Sequence, residues 1–220
     1  QKGTVVNVHI ENLMDQMEST LKLTPIEHGQ LAVVAVVSGA GMARVMADFG
    51  VAALINGGQT MNPSTEQILA AVEALPTDKV IVLPNNKNII LAAKQAAELS
   101  AKQVQVVPTR SMPQGIAALL SHQPDGGLAE TAEAMAAASQ EVKTGELTRA
   151  SRAAVMDQIQ VNEGQVIALL DDKLVCACDD LSEATLSLLR QAEAEGAELI
   201  TLYYGAGLSH SEASTIADLV

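Results

Sequence analysis

Aromatic side chains are almost absent from this sequence of 220 residues. One Phe, two Tyr and no Trp make up 1% of the chain, although hydrophobic residues make up 48%. Proteins that bind single-stranded nucleic acids stack bases on aromatic side chains, and this chain lacks the residues for such a platform. The scarcity argues against that class of protein and predicts a core of Ala, Val, Leu, Ile and Met.

Positive charge is scarce as well. The chain has 13 Lys and Arg against 26 Asp and Glu, which gives a formal net charge of −13. A surface with this charge repels phosphate backbones and anionic lipids. We therefore expect neither nucleic acid nor an anionic membrane among its partners.

Long apolar runs and a cysteine framework are also missing. No apolar run reaches the length of about 18 residues that a membrane span needs. The start, QKGTVVNVHIENL, lacks the basic region and apolar stretch of a signal peptide, so we expect a cytoplasmic protein. Cys176 and Cys178 flank a single Ala, and we interpret them as small buried hydrophobes, with metal or redox use as the alternative.

Four apolar runs, each followed by a helical pattern, succeed one another between residues 31 and 121. The runs cover 31–37, 51–56, 79–84 and 104–108, and the helices are expected at about 41–49, 64–75, 88–100 and 114–121. A continuous apolar run is typical of a strand that is buried on both faces. Strands that alternate with helices form parallel sheets. The pattern predicts an α/β fold with a parallel, doubly wound sheet.

After a turn-rich segment, HQPDGG at 122–127, the order of the predicted elements changes. An Ala-rich helix, short strands and two further helices follow it. We therefore predict a lead-in from a preceding domain over 1–30, an α/β unit over 31–127 and a second, mixed α/β unit over 128–220. Because the sequence lacks an initiator Met and stops soon after a helix begins, we expect a domain fragment with a truncated second unit.

Polar loops at the ends of the predicted strands are the candidate binding sites, since open parallel sheets bind ligands at the carboxyl ends of their strands. The loop GGQTMNPST contributes the candidates Gly57, Gly58, Gln59, Thr60, Asn62, Ser64 and Thr65. Glycines permit backbone shapes that other residues avoid, and the N–H groups of a helix start attract anions. A capped helix start without a ligand explains the Asn, Ser and Thr equally well.

The loop after the third predicted strand contributes Asn85, Asn86, Lys87 and Asn88. In the functional interpretation the amides fix the loop geometry and Lys87 binds an acidic partner. In the structural interpretation Asn88 caps the following helix and Lys87 is solvated. The sequence alone leaves both open.

The loop after the fourth predicted strand contributes Arg110 and Gln114. Arg110 is suited to a carboxylate, although a surface arginine is the alternative interpretation. The chain has no Walker-type loop, nucleophile elbow, histidine pair of ligand spacing or distinct pair of carboxylates. We therefore predict no catalytic residue and no metal ligand.

Four stretches together resemble the C-terminal region of the bacterial dihydroxyacetone-kinase-like, DegV-related proteins, and in particular the ATP-binding subunit of fatty acid kinase. They are INGGQTMNPSTEQIL, VIVLPNNKNIILAAKQAAEL, VVPTRSMPQGIAALL and VKTGELTRASR. The resemblance covers residues 5–220. It implies a DegV-like fold and makes the three polar loops, with Pro63, Pro113 and Gly115, part of a family signature.

The resemblance also implies a role in lipid metabolism. In this family an N-terminal helical domain binds ATP and magnesium through clustered aspartates, and a DegV-like fatty-acid-binding protein presents the acyl carboxylate that is phosphorylated. The aspartate motif is absent here, so we expect no cofactor in this chain and no catalysis by it alone. The expected role is docking of the acyl-binding partner. A small-anion or fatty-acyl-binding domain and an autonomous glycerone-type kinase are the alternative functions, and a second copy of the chain is kept as an additional partner.

Overall fold

The computed structural model describes residues 8–12, 23–57, 62–205 and 207–220. The described residues fall into two compact units, one within Gln16–Val142 and the other within Gln1–Asp15 and Lys143–Val220. The first strand, β1 (Val8–Asn12), belongs to the second of these units. Of the predicted lead-in over 1–30, the structure describes residues 8–12 and 23–30.

A four-stranded parallel sheet forms the centre of the unit within 16–142. Its strands are β2 (Leu31–Val37), β3 (Ala53–Asn56), β4 (Lys79–Leu83) and β5 (Gln103–Val106). They lie in the order β3-β2-β4-β5, and every neighbouring pair is parallel. The chain therefore moves outward from β2 in one direction and from β4 in the other. The predicted parallel, doubly wound sheet is confirmed.

Helices connect these strands and cover both faces of the sheet. They are α1 (Ala40–Asp48), α2 (Thr65–Glu73), α3 (Ile90–Leu99), which follows a 3₁₀ turn at Lys87–Ile89, α4 (Met112–Leu120) and α5 (Leu128–Gln140). On one face Val34 and Val82 pack in a cluster with Ile68 of α2 and Ala93 of α3. Alternate strand residues point to opposite faces, and in the central strands β2 and β4 those on the other face are buried as well. This double burial explains the continuous apolar runs in the sequence.

Helix α5 extends this unit beyond the boundary predicted at residue 127. It packs along α4 and contacts β4 and β5. Met135 of α5 is fully buried, and Ala132 and Thr131 are nearly so. Burial of a large apolar side chain contributes about 1.5–3 kcal/mol, which stabilises α5 on this unit. The compact unit consequently ends at Val142.

The second unit is of mixed α/β type, as predicted. Its further elements are β6 (Gly145–Arg149), β7 (Ala154–Met156), β8 (Ile159–Val161), β9 (Val166–Leu170), β10 (Lys173–Cys178), α6 (Leu181–Gln191), β11 (Ile200–Tyr204) and α7 (His210–Ala217). An antiparallel sheet has the order β10-β9-β6, β7 pairs with β8, and β1 pairs with β11 in parallel. Asp171 and Asp172 join β9 to β10 with φ values of 47° and 69°, as a two-residue hairpin turn requires.

Candidate functional site

The candidate site lies where the parallel strands of the first unit end. We call the loops that follow the four strands (38–41, 57–65, 84–89 and 107–114) the carboxyl edge. We call the loops at the opposite ends (24–30, 74–78, 100–102 and 121–127) the amino edge. The strand order reverses between β2 and β4, and ligands of doubly wound sheets bind at the carboxyl ends of strands beside such a reversal. The loop 84–89 therefore occupies the expected position.

Asn85 connects three strand ends at the carboxyl edge. Its side-chain Nδ2 donates to the carbonyl oxygen of Val36 at 2.9 Å, and its backbone N–H donates to Thr109 Oγ1 at 3.0 Å. The Thr109 hydroxyl donates in turn to Asn85 Oδ1 at 2.8 Å. Asn85 is 3% exposed and Thr109 is fully buried. Asn85, a predicted binding residue, thus has its side chain bound to the interior of its own unit.

The backbone and the packing around Asn85 are matched to this arrangement. Its φ of 54° lies in the left-handed region, which Asn tolerates better than most residues with a side chain. A Cβ atom at position 115 would overlap the Asn85 amide, so the glycine lets α4 approach this side chain. The resemblance placed Gly115 in the family signature, and its contact with Asn85 supplies a physical reason.

The other three residues of the NNKN stretch lie nearer the surface. Asn86 is half-buried, and its Oδ1 accepts a hydrogen bond from the Asn88 backbone N–H at 2.9 Å, which caps the 3₁₀ turn. Lys87 and Asn88 are exposed. The structural interpretation assigned the cap to Asn88, whereas the capping side chain is Asn86, because a 3₁₀ turn precedes α3.

The described part of the loop 57–65 ends in a helix cap. Ser64 and Gln67 form a capping box, in which each side chain accepts a hydrogen bond from the backbone N–H of the other residue. The hydroxyl of Thr65 donates to Gln95 of α3 at 3.3 Å. Gly57 is buried and Asn62 is exposed. The predicted binding residues Gly58, Gln59 and Thr60 lie outside the described residues.

Arg110 lies in the loop after β5, and Gln114 lies in the first turn of α4. The backbone N–H of Arg110 donates to Gln114 Oε1 at 2.8 Å, and Ser111 caps α4 by accepting from the Gln114 backbone N–H. Pro113 occupies the first turn of this helix. Gln114 is half-buried, whereas Arg110 is exposed. Arg110 therefore presents its cation at the same edge of the sheet as Lys87.

Charge distinguishes the carboxyl edge from the rest of this acidic chain. Its four loops contain Lys87 and Arg110 and no Asp or Glu, although the chain as a whole has a net charge of −13. The helices α1, α2, α3 and α4 begin at this edge, and helix N-termini carry partial positive charge. The sequence already contained this signal, because strand-end loops can be searched for acidic residues once the strands are assigned.

No metal centre accompanies these loops in the part of the chain that the structure describes. There, no three His, Cys, Asp or Glu side chains are grouped to hold a metal ion. A depression of about 510 Å³ is lined by Gln103–Gln105 and Gly127–Glu130, beside the start of β5 and therefore away from the carboxyl edge. None of the described helices is both long and apolar enough to cross a bilayer.

Cys176 and Cys178 pack against one hydrophobic cluster of the second unit, which contains Ala168, Ala184 and Leu188. Both thiols are partly buried. Burial raises the pKa of Cys178 to about 11, and its hydrogen bond with Cys176 acts in the same direction. A thiol with this pKa is protonated at neutral pH and is a poor nucleophile. The packing favours the interpretation of the two residues as small hydrophobes.

Comparison with known protein families shows which family the chain belongs to. The model of the FakA-like C-terminal family, which describes the C-terminal region of one of the subunits of fatty acid kinase and of similar proteins, matches residues 32–220. The chain belongs to this family. The match includes all the carboxyl-edge loops and most of both compact units, so the resemblance inferred from the four sequence stretches is confirmed.

Relatives of the chain occur in Bacillus and Staphylococcus. Protein YloV of Bacillus subtilis (strain 168) is 34% identical over 222 residues, which cover 97% of this chain and 40% of the relative. An uncharacterized protein of Staphylococcus aureus (strain USA300) is 33% identical over 211 residues, which cover 93% of this chain and 38% of the relative. The chain thus spans about two fifths of the length of these relatives.

A solved structure supports the fold assignment. The DegV family protein Cg2579 from Corynebacterium glutamicum superposes with a TM-score of 0.54 and 14% identity, over 79% of this chain and 89% of that chain. At this identity the likeness concerns the fold alone. The predicted DegV-like fold is confirmed.

Proposed function

We propose that this fatty acid kinase-related module docks a DegV-like, acyl-binding protein through its carboxyl edge. The observation that carries the proposal is the charge of this edge, where Lys87 and Arg110 lie in loops without a single acidic residue. Complementary charge steers association and fixes the register of two proteins. An acidic surface on the partner, or the carboxylate of its acyl chain, is the matching chemistry.

The state of the polar side chains favours docking over a small-molecule pocket. Asn85, Ser64 and Gln114 are occupied by hydrogen bonds within their own unit. Among the described residues, no buried side-chain polar atom lacks a partner. A preformed ligand pocket ordinarily converges a few polar groups on an apolar cavity. Here the exposed groups Asn62, Lys87, Asn88 and Arg110 lie on an open surface instead.

The nucleotide chemistry of this family belongs, in our proposal, to a part of the longer protein that this chain does not include. The described residues present no cluster of metal ligands, and the sequence has no Walker-type loop. We accordingly propose that the chain does not phosphorylate a substrate by itself. It brings the acyl-carrying partner to the ATP-binding region.

Titration calorimetry of the purified chain tests the proposal. The partner is the DegV-like protein of the same organism, loaded with palmitate, and the control injection is palmitate alone. We expect saturable binding of the loaded protein and no heat from palmitate. Binding of palmitate alone, without binding of the protein, contradicts docking and supports the fatty-acyl-binding alternative. ATP turnover by the isolated chain supports the kinase alternative instead.

A further inference from the structure

Two buried residues, Asn85 and Thr109, hold together the two loops that carry the cations of the carboxyl edge. Lys87 follows Asn85 by two positions, and Arg110 directly follows Thr109. The backbone N–H and Oδ1 of Asn85 both bond the Thr109 hydroxyl. These hydrogen bonds join the two loops beyond the ends of the paired strands β4 and β5.

The same pair is anchored to the central strand of the sheet. Asn85 Nδ2 donates to the carbonyl oxygen of Val36, which lies 49 residues away in the chain. This bond spans the reversal between β2 and β4, where doubly wound sheets open a ligand crevice. The Asn85 amide thus occupies the position where such a crevice would open. Helix α4 packs closely against this amide at Gly115.

Neither residue is able to touch a docked protein. Thr109 is fully buried and Asn85 is 3% exposed. Hydrogen bonds between buried polar groups are electrostatically strong, and a fully satisfied network rigidifies the elements that it joins. A change in partner affinity caused by either residue must therefore act through the loops.

We propose that Asn85 and Thr109 are positioning residues that set the geometry of Lys87 and Arg110 for the acyl-binding partner. The proposal rests on the docking function proposed above. In this proposal the Asn85 amide fills the space between the carboxyl ends of β2 and β4. The exposed loops around that space form the recognition surface. The partner fitted by this surface presents carboxylates to the two loops, since complementary charge fixes the register of two proteins.

A matched threonine at the opposite end of β4 makes the proposal testable. Thr77 is 1% exposed, and its hydroxyl donates to the carbonyl oxygen of Gln30 at 2.5 Å on the amino edge. Thr77→Val and Thr109→Val each remove one buried hydroxyl from the same unit by a nearly isosteric change. Thr109→Ser keeps the hydroxyl and serves as the conservative variant.

Affinity for the palmitate-loaded DegV-like protein is measured by calorimetry, together with the melting temperature of each variant. We expect Thr109→Val to weaken binding at least about tenfold, which corresponds to about 1.4 kcal/mol. Thr109→Ser and Thr77→Val should stay within about threefold of the unmodified chain, although Thr77→Val lowers the melting temperature as Thr109→Val does. Unchanged binding by Thr109→Val, or equal weakening by Thr77→Val, overturns the proposal.

Hydrogen–deuterium exchange of the free chain separates this proposal from the docking function. Thr109→Val should raise exchange in both 85–89 and 109–114, and Thr77→Val in neither. A response confined to 109–114 overturns the coupling of the two loops, whatever the partner does. If the unmodified chain does not bind the partner, the docking function fails, and the exchange comparison alone decides whether Thr109 holds the loops together.

Discussion

The two edges of the four-stranded sheet use their polar residues differently. The carboxyl edge presents Lys87 and Arg110 in loops without acidic residues. The amino edge carries Glu27, Asp78 and Asp125. Both edges belong to one sheet, and the helices that begin at the first edge end at the second. The edges therefore differ in helix-dipole sign as well as in side-chain charge.

The polar groups of the amino edge are largely committed to the fold. Lys102 Nζ donates to the carbonyl oxygens of Val72, Glu73 and Leu75 at 2.9, 3.1 and 2.6 Å, and so caps the end of α2. His122 Nε2 lies 3.1 Å from the carbonyl oxygen of Leu31. Lys102 and His122 thus stabilise the fold at the amino edge, whereas the proposed function assigns recognition to the exposed cations of the carboxyl edge.

Replacement of Gly115 by Ala is expected to have the largest effect, because it disturbs the buried side chain that joins the loops of the carboxyl edge. Ala ordinarily stabilises a helix relative to Gly, but here the new Cβ overlaps the Asn85 amide. We expect a loss of about 1–3 kcal/mol in the free energy of unfolding, measured by urea denaturation. Gly196→Ala, where a Cβ meets no atom within 4 Å, is the control and should stay within about 0.5 kcal/mol. A stabilised Gly115→Ala variant contradicts this packing.

Reversal of charge at the carboxyl edge is expected to act on binding without acting on stability. The double variant Lys87→Glu/Arg110→Glu should weaken affinity for the acyl-binding partner at least about tenfold, or about 1.4 kcal/mol, by calorimetry. Lys94→Glu, on the exposed side of α3, reverses one charge and is the control for the single variants Lys87→Glu and Arg110→Glu; it should leave affinity nearly unchanged. An equal loss of affinity in the Lys94 variant and in the single carboxyl-edge variants would mean that overall charge, rather than this edge, determines binding.

Removal of the Lys102 ammonium group at the amino edge is expected to lower stability without changing partner affinity. Lys102→Met keeps much of the apolar stem and leaves three carbonyl oxygens at the end of α2 without their donor. We expect a loss of about 1 kcal/mol in the free energy of unfolding, with partner affinity unchanged. Weaker binding by this variant at unchanged stability contradicts the division of roles between the edges.

The smallest effect is expected from the pH dependence of His122. Burial lowers the pKa of this imidazole, and its contact with the Leu31 carbonyl opposes the shift. His122 therefore binds a proton less readily in the folded chain than in the unfolded chain. Its contribution to the free energy of unfolding is complete above about pH 6.5 and is lost as the pH falls below that value. His122→Gln keeps a donor and should flatten the pH profile of urea denaturation in this range. A profile that keeps its slope in the variant assigns the decline to other groups.

The fold was predictable from the sequence because periodicity and burial agree in this chain. The continuous apolar run at 31–37 is β2, with the bounds that the sequence predicted. Ser64 and Pro113 mark helix starts, and the paired aspartates at 171–172 form a turn. Such signals are local, since each depends on residues within one turn or one strand.

The role of Asn85 was not predictable in the same way. Its place at a strand end and the family resemblance favoured a binding residue, but its partners Val36 and Thr109 lie 49 and 24 residues away. Helix α5 shows the same limit, because its position depends on contacts with α4 and β4 rather than on the turn-rich segment before it. Long-range hydrogen bonds and packing leave no periodic trace in a sequence.

The most direct test of the account is a hydrogen–deuterium exchange footprint of the chain in complex with the palmitate-loaded DegV-like protein. We expect protection of the carboxyl-edge segments 57–65, 85–89 and 109–114. The amino-edge segments 24–30, 74–78 and 121–127 should exchange as they do in the free chain. Protection at the amino edge, with the carboxyl edge unchanged, would contradict docking through Lys87 and Arg110.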